Sequence, residues 1–189
     1  MSGLFAWLER VATPRRVVVL LLLEVLLIGG ENLLFFPLSV PYLRRLTGHD
    51  YLDTCAFCGA PRLYAELSGL GETGRHLQLR FLSTIDLAIP SVSGLFGATA
   101  LMLLSKPLRS KRPTYRWLAL VPLAASCSDF SENLGVALLA SSYPRRLTGV
   151  AVVVGLLTGI KFVAYGATVL VLLGLGAWRL AAGPRSSNA

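Results

Sequence analysis

The sequence is poor in charged residues, histidine and cysteine. Only 15% of its 189 residues are charged, and it has two His and three Cys, whereas soluble domains carry about a quarter charged residues. It contains no Ser-His-Asp constellation, P-loop or dinucleotide-binding glycine motif. With 54% hydrophobic residues and a mean hydropathy of +0.63, the composition is typical of a membrane protein.

The net charge of +8 comes from basic residues that flank apolar runs. The clearest group is the segment 105–116, which has five Lys or Arg and no acid. Because the basic residues form no stripe interleaved with aromatic side chains, contact with anionic lipid headgroups explains them better than nucleic-acid binding. The sequence Arg-Arg-Leu-Thr-Gly occurs twice and is basic in the same way. We therefore also predict headgroup contacts for its arginines, Arg44, Arg45, Arg145 and Arg146.

Four apolar stretches are long enough to cross a hydrocarbon core of about 30 Å. We therefore predict an all-α integral membrane fold, a bundle of four transmembrane helices over about 17–38, 81–104, 117–140 and 150–175. Around them we expect an interfacial segment, a long extracytoplasmic loop, a basic cytoplasmic loop and a flexible tail, at 1–14, 39–80, 105–116 and 179–189. The basic loop and the three Trp residues fall on the side of both termini, which predicts that both termini are cytoplasmic in an inner or plasma membrane.

One motif occurs twice in the chain. Residues 31–48 and 132–149 align without a gap, and both begin with Glu-Asn-Leu and end with Arg-Arg-Leu-Thr-Gly. This predicts a tandem duplication of a two-helix unit, with the units at 15–104 and 117–178. Because the first helices of both units would cross in the same direction, the repeat would be parallel, with its pseudo-twofold axis along the membrane normal.

Ionisable residues inside the predicted spans are candidates for a functional site, since each costs roughly 3 kcal/mol on insertion scales. Asp129, Glu132 and Asn133 stand at i, i+3 and i+4 of one predicted helix, so they share a face. We expect them to meet the other polar residues of the spans in one outward-facing pocket, namely Glu31, Asn32, Asp86 and Lys161. The alternative is that these residues are only interhelical hydrogen bonds and a buried ion pair that fix the packing.

The acidic set leads to several functional hypotheses. The first is a membrane-embedded site that binds or transports a cation, a proton or a small amphiphile. The alternatives are a membrane enzyme that acts on a lipid through the same carboxylates, and a structural or partner subunit. No cofactor is indicated beyond a candidate divalent cation. Gly155-x-x-x-Gly159 is a close-packing motif that serves either the bundle itself or a homodimer.

Cys55-x-x-Cys58 lies in the long loop, which the topology assigns to the oxidising side. The pair would form either a loop-stapling disulfide or a reactive thiol site. It is superficially similar to the four-helix quinone-linked disulfide oxidases, of the bacterial periplasmic and vitamin K epoxide reductase types. Those families relay electrons through a second cysteine pair, and the only other cysteine here is Cys127.

The helix that carries Asp129-x-x-Glu132-Asn133-Leu134 also resembles a pattern in uncharacterised bacterial integral membrane proteins of similar length. The resemblance covers that helix and the segment of Asp86 with its following Pro. It implies a four-helix membrane fold and carries no activity with it.

Overall fold

The computed structural model describes residues 2–110 and 112–181, and this part of the chain is helical without any strand. The α-helices are α1 Ser2–Val11, α2 Pro14–Leu33, α3 Val40–Thr47, α4 Ala60–Gly69, α5 Gly71–Leu82, α6 Ile85–Leu104, α7 Lys106–Arg109, α8 Leu120–Ser142 and α9 Thr148–Ala181. Two 3₁₀ segments cover Leu52–Thr54 and Pro113–Ala119. Of the predicted tail, residues 179–181 belong to α9, and residues 182–189 lie outside the described residues.

Two segments are long and apolar enough to cross a membrane. They are Gly71–Leu104, which comprises α5 and α6, and Thr148–Ala181, which is α9. Helices α2 and α8 have 20 and 23 residues, but each carries two carboxylates along its length. The all-helical class is confirmed, and the four-span bundle stays a prediction.

The boundaries of the first and third predicted spans differ from the sequence expectation. Helix α2 ends at Leu33 instead of near 38, four residues before Pro37. Ser39 then begins a new helix, because its side chain accepts from the amide of Tyr42 at 3.3 Å. Helix α8 begins at Leu120, after the 3₁₀ segment, and its last residue precedes Tyr143-Pro144.

The long connection predicted as a loop at 39–80 is largely helical, which is a correction. It contains α3, α4 and most of α5. Helix α3 is capped at both ends, since Gly48 follows it with a φ of 77°, a conformation that favours glycine. Helix α4 packs inward, since its Leu63 and Leu67 are fully buried.

These connecting helices form a hydrophobic core with the ends of α8 and α9. Tyr51 stacks on Phe81 with ring centroids 4.1 Å apart, and Leu63, Val136 and Val154 lie in the same buried cluster. The connection is therefore packed onto the bundle, with apolar side chains of α8 and α9 completing its interior.

Helix α1 also packs on the bundle. Phe5 and Leu8 are buried against Met102 of α6, and Phe5 contacts the Trp117 ring edge-on at a centroid distance of 5.2 Å. Trp7 on the other side of α1 is 46% exposed. The apolar side chains of this segment, which was predicted to be interfacial, are thus divided between the protein interior and the surface.

The two copies of the repeated motif have different backbones. In the first copy α2 stops soon after Asn32 and α3 carries the Arg-Arg-Leu-Thr segment. In the second copy α8 continues ten residues beyond Glu132, and the Arg-Arg segment is the turn before α9. The physical reason is that Pro37 of the first copy aligns with Leu138 of the second, and Pro37 has no amide hydrogen to bond the carbonyl of Leu33, where α2 ends. The duplication stays a prediction from the sequence.

Candidate functional site

A cavity of about 440 Å³ lies between α2, α6 and α9. Helix α2 packs on α6, α9 packs on α8 and α6, and the cavity occupies the space between α2 and α9. Along α6 it extends from Asp86 to Phe96, about 15 Å at the helical rise. One end is lined by Glu31, Asp53 and Asp86, and the other end by apolar side chains, among them Phe96, Val169 and Leu172. Glu24 lies between the two ends, beside Ser93.

Lys161 is the centre of the polar end. Its Nζ lies 3.1 Å from Asp129 Oδ1 and 2.6 Å from Glu132 Oε2. Glu132 is fully buried, and Asp129 and Lys161 are about as inaccessible, at 4% and 5% exposure. Thr158 Oγ1 lies 2.8 Å from Glu132 Oε1. The ammonium group of Lys161 on α9 therefore forms salt bridges with two carboxylates of α8, those of Asp129 and Glu132.

Four further carboxylates line the same cavity, and each has one buried oxygen without a hydrogen-bond partner among the described residues. These oxygens are Glu24 Oε2, Glu31 Oε2, Asp53 Oδ1 and Asp86 Oδ2. Asp86 is only 3% exposed, so water outside the protein does not reach it freely. Buried polar atoms are almost always paired, whereas these four oxygens belong to residues that line a single cavity.

Within 2–110 and 112–181, two of the four carboxylates have a side-chain partner for their other oxygen. Ser93 Oγ donates to Glu24 Oε1 at 2.6 Å, and Asn32 Nδ2 donates to Glu31 Oε1 at 2.9 Å. Both contacts hold the carboxylate along the cavity wall. Asn32 therefore orients the Glu31 carboxylate.

Asn133 has a different role from Asn32. Pro90 has no amide hydrogen, so the carbonyl of Asp86, four residues earlier in α6, has no helical partner. Asn133 Nδ2 donates to that carbonyl at 3.2 Å, and Ser126 Oγ donates to the carbonyl of Pro90 at 2.7 Å. Asn133 thus satisfies the carbonyl that the proline leaves free, and both side chains tie α8 to the backbone of α6 that carries Asp86.

Three residues of the site were not predicted from the sequence. Tyr165 lies one turn along α9 from Lys161, and its hydroxyl is 3.4 Å from Asp129 Oδ2. Glu24 shares a helical face with Glu31 two turns away, so spacing on α2 could have identified it. Asp53 comes from the 3₁₀ segment of the connection, and no periodicity links it to the helices.

The structure joins Cys55 and Cys58 in a disulfide. The loop they close sits on the Gly155-x-x-x-Gly159 motif of α9: Phe57 N donates to Gly155 O at 2.8 Å. A Cβ atom at Gly155 would overlap the Cys58 carbonyl, and one at Gly159 would overlap the Phe57 ring. The glycine motif therefore packs against this loop within the same chain, and the 3₁₀ segment that immediately precedes the loop carries Asp53 to the cavity. Cys127 is exposed on α8 and is not paired with another cysteine.

The four arginines of the repeated segments lie apart from the cavity. Arg44 forms a bidentate pair with Asp50 at 2.8 Å, and Arg45 lies over the Phe35 ring at 5.6 Å. Arg146 lies over the Tyr64 ring at 5.5 Å, and Arg145 is exposed. Headgroup contact by these residues stays a prediction.

No group of three or more His, Cys, Asp or Glu side chains within 2–110 and 112–181 is arranged to hold a metal ion. The carboxylates are spread along the wall and across three helices and a loop. This distribution suits a ligand longer than a single ion.

Burial of the carboxylate, with the charge of Asp129 adding to it and Lys161 opposing it, raises the pKa of Asp53 above its ordinary value of 3.8. The folded chain then holds the proton more tightly than the unfolded chain, so the free energy of unfolding falls as the pH rises above about 4. Asp53→Asn removes the cost of ionising a buried carboxylate. We therefore expect this variant to melt at a higher temperature than wild type near neutral pH. The difference should vanish below about pH 4, where both side chains are uncharged.

Thermal unfolding across pH checks this, with Glu72→Gln as the matched control, because Glu72 is exposed on α5. Equal melting of wild type and Asp53→Asn at every pH would mean that the Asp53 carboxylate is not confined by the fold.

Comparison of the chain with protein-family models, with curated proteins and with solved structures gives no match.

Proposed function

We propose that the chain is an integral membrane protein whose cavity binds an amphiphilic organic cation, with the ammonium group among the carboxylates and the apolar part toward Phe96 and Leu172. The observation that carries the proposal is the set of four cavity-lining carboxylates with a buried, unpartnered oxygen.

The membrane location is supported by the outward faces of the long helices. Helix α2 has no buried residue, and Leu22, Val25 and Leu26 on it are 61–67% exposed. Helix α9 exposes apolar side chains along its length, such as Val163, Leu170 and Leu173. An apolar surface of this extent is stable in lipid and would aggregate in water. A multi-pass arrangement through α2, α6, α8 and α9, with both termini cytoplasmic, belongs to this proposal.

The charge balance favours a cation as the ligand. Lys161 is already engaged by Asp129 and Glu132, so it cannot also neutralise the four remaining carboxylates. Buried charges without a partner are costly, and a bound cation would relieve the repulsion among them. The rings of Phe162 and Tyr165 also line this part of the cavity, and aromatic faces attract ammonium groups.

The apolar end favours an amphiphile over a bare ion. Phe96, Val169 and Leu172 continue the cavity past Glu24, away from the other three carboxylates. An inorganic ion would leave this surface unused, whereas an alkyl chain would fill it. Transport of the ligand and lipid chemistry by the same carboxylates stay predictions.

The test is a thermal-shift titration of the purified protein in a neutral detergent. Decyltrimethylammonium is the probe, decanol is the uncharged control with the same chain, and sodium chloride controls for ionic strength. We expect the ammonium compound to raise the melting temperature, since a ligand at a hundredfold excess over its Kd adds about 2.7 kcal/mol. Asp86→Asn should weaken the apparent affinity at least tenfold and preserve the shape of the site.

Glu72→Gln removes one exposed carboxylate and should leave the titration unchanged. Stabilisation by decanol equal to that by the ammonium compound would contradict a cation site. So would an identical titration of wild type and Asp86→Asn.

A further inference from the structure

A second cleft lies between α1 and α2, at the opposite end of α2 from Glu31. It encloses about 760 Å³, and its lining includes Arg10, Arg15 and Arg16. Apolar side chains of both helices lie beside these arginines, namely Trp7 on α1 and Val19 and Leu20 on α2. Three cations therefore border an apolar surface, with no carboxylate in the lining.

The charges of this cleft are not neutralised by the described part of the chain. None of the three guanidinium groups forms a salt bridge there; the one contact is Arg16 Nη1 with the Arg10 carbonyl at 3.5 Å. The adjacent acid, Glu9, forms a salt bridge with Arg109, whose Nη1 lies 2.9 Å from Glu9 Oε1. Its charge is therefore already balanced by a different arginine. The cleft thus holds about three positive charges available to an anion.

The combination of cations and apolar wall matches one class of ligand. Guanidinium groups bind phosphate oxygens in bidentate fashion, and Val19, 49% exposed on α2, continues the wall away from the arginines. An exposed Trp beside them, Trp7, is the residue type that lies at the membrane–water boundary. A free phosphate would use only the arginines, whereas a lipid would use both surfaces.

We propose that the α1–α2 cleft binds an anionic phospholipid, with its phosphate on Arg10, Arg15 and Arg16 and the start of an acyl chain along Val19 and Leu20. This inference rests on the membrane location proposed above, but not on the ligand of the acidic cavity.

The experiment uses the full chain in nanodiscs of phosphatidylcholine doped with increasing phosphatidylglycerol. The lipid that remains bound is measured by native mass spectrometry, and stability is measured by thermal unfolding. We expect wild type to retain phosphatidylglycerol preferentially and to be stabilised by it. The triple variant Arg10→Gln, Arg15→Gln, Arg16→Gln should weaken this preference at least tenfold and melt like wild type in pure phosphatidylcholine, since the three side chains are exposed.

The matched control makes the same change in net charge at two other exposed arginines, Arg62→Glu and Arg80→Gln. An equal loss of preference in this control would overturn the proposal, because the attraction would then be diffuse. Equal stabilisation by inorganic phosphate would also overturn it in favour of a soluble anion. Titration of the same variants with decyltrimethylammonium reports separately on the acidic cavity, which the triple variant should leave intact.

Discussion

Lys161→Met is expected to destabilise the protein more than any other single side-chain change at the acidic cavity. The substitution leaves Asp129 and Glu132 buried without the charge that lies 3.1 and 2.6 Å from them. Removing one partner of a buried ion pair costs about 3–5 kcal/mol, because the remaining charge is uncompensated. Methionine has a similar length and apolar volume, so the loss would reflect charge and not a cavity. Thermal or denaturant unfolding in a neutral detergent measures it.

The double variant Lys161→Met, Glu132→Gln separates this effect from a simple packing defect. Removal of one of the two orphaned carboxylates should restore about half of the lost stability, a coupling that unconnected residues do not show. Lys106→Met is the control, since Lys106 lies exposed at the start of α7. A Lys161→Met protein as stable as the Lys106→Met control would mean that the two acids are already neutral in the fold.

The sequence predicted the centre of this site because helical spacing is a local property. Asp129, Glu132 and Asn133 lie on one face of α8 as their i, i+3 and i+4 positions require, and all three are buried. Lys161 was identified as the one cation deep in an apolar run, and it meets two of these side chains. Spacing within one helix, together with the cost of burying charge, was enough for this part.

Spacing could not predict the exact tasks of these residues. Asn133 binds a backbone carbonyl that is free only because Pro90 interrupts α6, and that partnership depends on the register of α6 against α8. Asp53 reaches the cavity because its connection is folded onto α9, and the sequence was interpreted there as a loop. Helix α3 is stabilised by its caps, and helices α3 to α5 share a core with distant residues, which hydropathy alone does not report.

The repeated motif shows the same limit in another way. Identical Arg-Arg-Leu-Thr-Gly segments form the end of α3 in one place and the turn before α9 in the other. The difference comes from neighbouring prolines and from what each segment packs against. Sequence identity over a short segment therefore predicts related ancestry better than it predicts equal structure.

Gly155→Ala is expected to have the second largest effect, by displacing the disulfide loop from α9. The new methyl group would overlap the backbone of Cys58, and the bond from Phe57 N to Gly155 O would be strained or lost. Overpacking of this kind costs about 1–3 kcal/mol. Because Asp53 lies two residues before Cys55 in the adjoining 3₁₀ segment, movement of the loop should also shift Asp53 and weaken decyltrimethylammonium binding about tenfold.

Gly166→Ala provides the matched control on the same helix, since a Cβ atom there has no neighbour within 4 Å. In α9 this change should stabilise the chain by about 0.5–1 kcal/mol, because alanine loses less backbone entropy than glycine. The two substitutions are chemically identical and should therefore have opposite signs in thermal unfolding, and only Gly155→Ala should affect the ligand titration. Equal behaviour of the two variants would mean that the loop does not rest on α9, and Asp53 would then have no fixed place in the cavity.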